Sequence, residues 1–278
     1  MTPLPPPEPG RTPVRVMTIA GSDSGGGAGI QADMRTFALL GVHATVAVTA
    51  VTVQNSMGVK GFHEVPGEVV AGQIEAVATD IGVQAAKTGM LASAPIIEAV
   101  AATWRELGLA ESVPLVVDPV CASMHGDPLL HDSALDALRD KLFPLATVIT
   151  PNLHEVRLLV GVEVVDAESQ RAAARALHAL GPRWVLVKGG HLRSSSRSPD
   201  LLFDGTEFHE FDADRVPTGH DHGAGDTLAA ATVAALAHGY SVPEAVAFAK
   251  RWVTECLRAA YPLGNGHGPV SPLFRLHT

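Results

Sequence analysis

Short apolar runs alternate with stretches of helical periodicity along most of the chain. Val14–Ala20, His43–Ala50, Val83–Lys87, Pro114–Asp118, Thr147–Thr150 and Trp184–Lys188 each have the length and β-rich composition of a strand. Between the first two, Ala28–Leu40 carries Ile30, Met34, Phe37 and Ala38 at helical spacing and stops at Gly41. The same periodicity predicts helices near 67–81, 94–107, 132–142, 153–160 and 167–179, then two long alanine-rich helices near 224–238 and 243–260. Gly239 stands where a helix-ending glycine belongs. Leu201–Phe203 and Glu207–Phe211 flank Asp204-Gly205, a hairpin signal. Strands alternating with helices predict an α/β fold whose mainly parallel sheet is covered on both faces. No repeat or linker divides the chain, so residues 14–278 are expected to form one domain. The proline-rich residues 1–13 (MTPLPPPEPGRTP) read as a mobile, disordered tail.

In such sheets a ligand sits beyond the carboxyl ends of the strands. Here those ends are Gly21, Thr88-Gly89, Asp118-Pro119, Thr150-Pro151-Asn152 and Lys188-Gly189-Gly190, polar or glycine-rich tails that can line one crevice. Gly21–Asp33 (GSDSGGGAGIQAD) opens a helix after a strand with three successive glycines, so its backbone amides are open to a ligand or simply form a turn. It matches neither a Walker loop nor the dinucleotide pattern. Gln54, in TVQNSMG, both donates and accepts, which suits a heterocycle bearing an amine and a ring nitrogen; the alternative is a turn amide. Met90, in KTGM, fits a ring face or the core. Asn152 and Glu155, three apart at a strand-to-helix junction, suit either Mg²⁺ or a capping box, and spacing alone favours the cap. Lys188 is placed to meet a phosphate, or to end a turn.

HGAGDTLAAA asks the sharpest question. Gly223, Ala224, Gly225 and Asp226 stand at the start of a helix, where unpaired amides and the helix dipole bind anions. Asp226 is either a cap or a base. Two glycines just ahead of the acid favour an amide cradle for a phosphoryl group, with Asp226 accepting the proton of an alcohol.

The bulk numbers narrow the partners. Of 278 residues, 46% are hydrophobic and 18% charged, enough for a large core and too few charges for extensive disorder. A net charge of −9 with no Lys/Arg-rich run argues against nucleic acid and anionic membranes. Apolar runs such as Leu228–Ala237 are too short to span a bilayer, and the amino end has no charged region followed by an apolar core. Two cysteines, Cys121 and Cys256, build neither a disulfide framework nor a metal site, which fits a reducing, cytoplasmic setting. The thirteen histidines, His220 and His222 among them, show no zinc spacing and read as surface or hydrogen-bonding residues.

AGSDSGGGAGIQAD, TVQNSMGV, KTGML, DPV, ITPNLHE, VLVKGGH, HGAGDTLAAA and the closing LGNGHGPV occur in the order found in hydroxymethylpyrimidine/phosphomethylpyrimidine kinases of thiamine biosynthesis, over about residues 16–270. The first motif is specific to that family, whereas HGAGD resembles the wider ribokinase superfamily. The resemblance implies a ribokinase-like three-layer α/β/α fold, ATP with Mg²⁺, and phosphorylation of a pyrimidine's hydroxymethyl group and then of the monophosphate. It implies that Gly21, Asp23, Gln54, Met90 and Val120 meet the pyrimidine. Asn152 and Lys188 would meet ATP, Asp118, Asn152 and Glu155 would organise Mg²⁺ largely through water, and Gly223, Ala224, Gly225 and Asp226 would form the anion hole and base. It also implies a homodimer. Two positions depart from the pattern. Many members carry Cys where this chain has Asp226, the acid of sugar and pyridoxal kinases, and Met124 stands where Lys or Thr is frequent. A pyridoxal kinase and a non-catalytic pyrimidine-binding protein are therefore the alternative readings.

Overall fold

The structure, a computed structural model, describes residues 4–121, 130, 132–190, 192 and 197–277. Met124 and His191 fall outside them. In chain order the elements are β1 (Arg15–Ala20), α1 (Gly29–Leu39), β2 (His43–Val48), β3 (Ala50–Asn55), β4 (Gly58–Glu64), α2 (Gly67–Asp80), β5 (Ala85–Thr88), α3 (Ala94–Glu106), α4 (Leu109–Ser112), β6 (Leu115–Val117), α5 (Asp132–Ala137), β7 (Val148–Ile149), α6 (Leu153–Val160), α7 (Ala167–His178), β8 (Trp184–Val187), β9 (Asp200–Phe203), β10 (Phe208–Phe211), α8 (Ala224–Ala237) and α9 (Val242–Arg258).

Eight strands form one sheet in the order β10-β9-β8-β7-β6-β5-β1-β2. The pairs from β2 through β8 are parallel, while β9 and β10 are antiparallel. The strands alternate their side chains between two apolar layers. Met17, Ile19, Ala86, Val117, Ile149 and Val185 face one layer, packed against α2, α3, α6 and α7. Val16, Ala85, Val116, Val148 and Leu186 face the other, formed by α1, α8 and α9. Helix α8 is apolar on nearly every side because it is enclosed by α9, α1 and the sheet. This is the expected three-layer arrangement.

Two features differ from the sequence reading. His43–Ala50 is not one strand. The chain leaves the main sheet at Thr49 and forms a separate two-stranded antiparallel ribbon, β3 with β4, with an irregularity between Val53 and Gln54. Gly58 and Gly61 interrupt the alternation that would have marked β4 in the sequence. Within the segment read as a mobile tail, two of the described residues pack against the domain. Leu4 is buried in the cluster containing Phe37, Leu40 and Trp252, and Pro7 lies against Gly41.

Leu4→Ala should therefore lower unfolding free energy by about 2 kcal/mol, the loss of a buried leucine side chain, as read by urea denaturation. An unchanged midpoint and slope would mean that this end of the chain contributes nothing to the core.

Candidate active site

The order in which strands are added reverses at β1. From there the chain goes outward to β2, then returns to β5 on the other side and continues through β6, β7 and β8. The carboxyl ends of β1 and β5 therefore border a crevice at a topological switch point, where α/β sheets bind ligands. Gly21 ends one wall and Thr88-Gly89 the other. A side-chain carbon built on Gly21 would sit 3.2 Å from the Met90 sulfur, so the glycine leaves room beside that side chain.

The glycine loop after β1 is held by Asp23 from within. Its Oδ1 accepts from the Gly25 amide (2.8 Å), and its Oδ2 accepts from the amides of Gly27 (2.9 Å) and Ala28 (2.8 Å) and meets His222 Nε2 at 2.9 Å. Asp23 is 2% exposed. Burial pushes its carboxyl up, but the His222 and backbone hydrogen bonds outweigh that, and the net direction is down. Both carboxylate oxygens of Asp23 are thus engaged in shaping the loop. The ribbon leans over the same loop, since the Gln54 amide donates to Ser24 Oγ (2.9 Å) and Ser24 Oγ donates to the Gln54 carbonyl (2.6 Å). The Gln54 side-chain nitrogen lies 3.5 Å from His222 Nε2. The closing LGNGHGPV segment ties these parts together. The His267 amide donates to the Ser56 carbonyl (3.0 Å), and the Val270 amide donates to the His222 carbonyl (3.0 Å).

Helix α8 begins at the far side of this loop. Gly223 occupies its N-cap with φ 77°, and a side-chain carbon there would lie 2.0 Å from the Gly27 carbonyl oxygen. Only glycine permits that backbone conformation at that contact. The N-cap offers no side-chain hydrogen bond. Among the described residues the amides of Gly225 and Asp226 have no partner, as an anion cradle requires. Ala224 departs from expectation, because its amide donates to the Asp221 carbonyl at 3.1 Å and is not free. Asp226 does not cap the helix. Its Oδ1 accepts from Lys87 Nζ at 3.2 Å, and its side chain is 16% exposed.

The ends of β6, β7 and β8 supply the third wall. Asp118 Oδ1 accepts from Lys188 Nζ and from Thr150 Oγ1, both at 2.9 Å. Burial pushes Asp118 up, but Lys188 and Lys87 together hold it below the ordinary carboxylate range. Lys188 is raised in turn: burial opposes its charge, and Asp118 and Glu155 more than offset that. Gly225 adjoins this pair, since a side-chain carbon on it would be 3.3 Å from Lys188 Nζ and 3.5 Å from Asp118 Oδ2. Asn152 and Glu155 form the capping box of α6. The Glu155 amide donates to Asn152 Oδ1 (3.0 Å) and the Asn152 amide to Glu155 Oε2 (2.7 Å). Glu155 is 4% exposed, and burial pushes its carboxyl up to about 8, with Lys188 pulling down and Asp118 adding to the rise.

Asp118 Oδ2 and Glu155 Oε1 accept no hydrogen bond among the described residues. Hard oxygen atoms of that kind fit Mg²⁺, and a divalent cation would offset the charge that burial disfavours on Glu155. No cluster of three His, Cys, Asp or Glu side chains among the described residues could enclose a metal alone. Phosphate oxygens and water would have to complete the coordination.

Val120 stands half-buried beside this wall, its amide donating to the Asp118 carbonyl at 2.9 Å. The sequence reading passed over Lys87, Asp33 and Thr18, and it gave His222 no part in the site. The signal for Lys87 was a lysine inside an apolar strand, where a charge needs partners.

The chain is similar to known proteins over most of its length. The family described as phosphomethylpyrimidine kinase matches residues 23–271. The chain is 78% identical over 273 residues to the hydroxymethylpyrimidine/phosphomethylpyrimidine kinase of Mycobacterium tuberculosis, covering 98% of each. It is 49% identical over 256 residues to a thiamine biosynthesis bifunctional protein of Geobacter sulfurreducens, covering 92% of this chain and 51% of that one. Among solved structures, the ADP complex of Bacillus subtilis pyridoxal kinase superposes with a TM-score of 0.85 at 36% identity, covering 94% of this chain and 98% of that one.

Gly223→Ala forces the anion loop off the glycine loop. A displacement of about 1 Å at a reacting centre costs roughly 10²-fold in rate, and kinase turnover of this variant should fall by at least that much. Turnover near that of the unsubstituted protein would show that the close approach of Gly223 to Gly27 is dispensable.

Proposed function

The chain belongs to the phosphomethylpyrimidine kinase family, and we propose that it transfers the γ-phosphoryl group of ATP to the hydroxymethyl oxygen of 4-amino-5-hydroxymethyl-2-methylpyrimidine, then phosphorylates the resulting monophosphate, in thiamine diphosphate biosynthesis. One observation carries the assignment of roles: Asp226 stands in the first turn of α8 without capping it, beside two unpartnered amides, at the switch point of the sheet.

Asp226 accepts the proton of the alcohol as the new phosphorus–oxygen bond forms and the bond to the leaving ADP oxygen breaks. The amides of Gly225 and Asp226, with Gly223 shaping their approach, hold the equatorial oxygens of the moving phosphoryl group. Lys188 meets the nucleotide phosphates as a point charge. Asp118 would hold Mg²⁺, with Glu155 and Asn152 reaching it through water, and the ion would neutralise phosphate charge. On the acceptor side, Gln54 pairs with the amine and ring nitrogen of the pyrimidine. Met90 packs on the ring, Gly21 leaves space for it, and Val120 borders it. Asp23 acts through the loop it shapes.

A second reading, phosphorylation of pyridoxal, is favoured by the likeness to B. subtilis pyridoxal kinase and by the acid at Asp226. Specificity constants for the two alcohols, measured side by side, separate the readings.

The chain acts as a homodimer in the cytoplasm on this proposal. Val51, Val53 and Met57 are exposed on the β3–β4 ribbon, an apolar surface suited to a second copy. Cys121 and Cys256 are both free and buried, as suits a reducing compartment. Among the described residues no helix is long and apolar enough to cross a membrane.

Incubated with the pyrimidine, ATP and Mg²⁺, the protein should yield the mono- and then the diphosphate by mass spectrometry. Asp226→Asn should lower kcat by about 10²–10⁴-fold with its melting temperature retained. Full turnover in that variant removes Asp226 as the base. Light scattering should give a dimer that Val53→Asp converts to monomer; a monomeric unsubstituted protein would refute the pairing.

A further inference from the structure

Directly behind Asp226 lies a group of charges buried in the layer between the sheet and α1 and α8. Thr18 on β1 and Lys87 on β5 are register partners. Strand alternation points both toward that layer, on the same side as Val16 and Ala85. Lys87 is wholly buried, as is Asp33 on α1. Lys87 Nζ donates to Asp33 Oδ1 at 2.8 Å and to Asp226 Oδ1 at 3.2 Å, and Thr18 Oγ1 donates to Asp33 Oδ2 at 2.6 Å. Asp33 is thus fixed at both oxygens. Asp226 is fixed at Oδ1, and its Oδ2 accepts no hydrogen bond among the described residues.

Stability does not account for this arrangement. A buried ion pair is frequently no better than apolar residues of the same volume, and one carboxylate already satisfies the lysine charge. The second carboxylate is the one at the reaction centre. We infer that Lys87, itself oriented by Asp33 and Thr18, is the positioning residue for phosphoryl transfer: it anchors Asp226 by one oxygen and leaves the other aimed at the alcohol.

The pairing with Asp33 also suits the chemistry of the step. When Asp226 takes up the alcohol proton it becomes neutral, and Lys87 still faces a carboxylate. The buried cation is therefore never left without a partner during turnover. Burial works against the Lys87 charge, but Asp33, Asp226 and Asp118 overcome it and raise its affinity for the proton. Burial pushes Asp33 up to about 7, with Lys87 pulling down and Asp226 adding to the rise. Gly89 borders the junction: a side-chain carbon there would crowd Ala20 Cβ at 3.0 Å and lie in ordinary contact with Lys87 Nζ (3.6 Å) and Asp226 Oδ1 (3.9 Å).

This inference rests on Asp226 being the base, and a double-mutant cycle in the full chain tests the two separately. Lys87→Met should lower kcat by about 10²-fold while the KM values for pyrimidine and ATP stay within about threefold. In an Asp226→Asn background the same substitution should change the residual kcat by less than about threefold, because the group it positions is already disabled. Lys87→Met leaves Asp33 without its cation. Asp33→Asn/Lys87→Met removes both charges at nearly constant shape, so it carries the test if the single variant does not fold, and it should show the same loss of kcat. Full kcat in folded protein of either variant overturns the role of Lys87 and leaves Asp226 as base. An equal loss in both backgrounds overturns it as well, since Lys87 would then act independently of Asp226. Full kcat in Asp226→Asn alone would remove the base, and the inference with it.

Discussion

Where α8 meets the glycine loop, the Gly223 backbone lies too close to the Gly27 carbonyl for any side chain to come between them. That contact fixes the first turn of α8 in a left-handed entry with no side-chain cap, and so leaves the next amides exposed to the crevice. Much of the rest of the site serves it. Asp23 holds the other side of the contact by taking the amides of the glycine loop, and His222 joins Asp23 to the anion loop. The closing segment bonds to Ser56 at the tip of the ribbon and to His222 just ahead of α8, so the ribbon and the start of α8 are joined by backbone hydrogen bonds.

The electrostatics follow the same division. Lys87 stands between Asp33 and Asp226 beneath the start of α8, while Lys188 stands with Asp118 near Glu155 at the ends of β6, β7 and β8. Four carboxylates thus accompany two lysines in and directly behind the crevice. The excess of negative charge would repel a bare nucleotide, and Mg²⁺ bound with the phosphates would relieve it. Burial raises the proton affinity of Glu155, with Lys188 opposing the rise and Asp118 adding to it.

The sequence was most legible where local pattern and tertiary role coincide. Strand ends, helix starts and the Asp204-Gly205 hairpin follow from periodicity and turn residues, and HGAGD marked where α8 begins. It was least legible where one residue type serves two purposes. Asn152 and Glu155 bear the spacing of a capping box and form one, so spacing says nothing about their free oxygens. Asp23 sits among glycines, and the pattern did not show that its two oxygens take the amides of Gly25, Gly27 and Ala28 and meet His222. Lys87 begins the KTGML motif, but its pairing was not legible there because its partners come from α1 and α8, 54 and 139 residues away. The ribbon was hidden for a different reason: glycines break its alternation, and its outer face carries valines that ordinarily mark a core strand.

The most direct measurement is the distance between Asp226 and the alcohol oxygen of the pyrimidine, in a crystal structure with that substrate and a non-hydrolysable ATP analogue. The account predicts hydrogen-bond reach, roughly 2.6–3.2 Å, through the oxygen that Lys87 leaves free, with the terminal phosphate against the amides of Gly225 and Asp226. A pyrimidine whose alcohol lies beyond the reach of that carboxylate would contradict it.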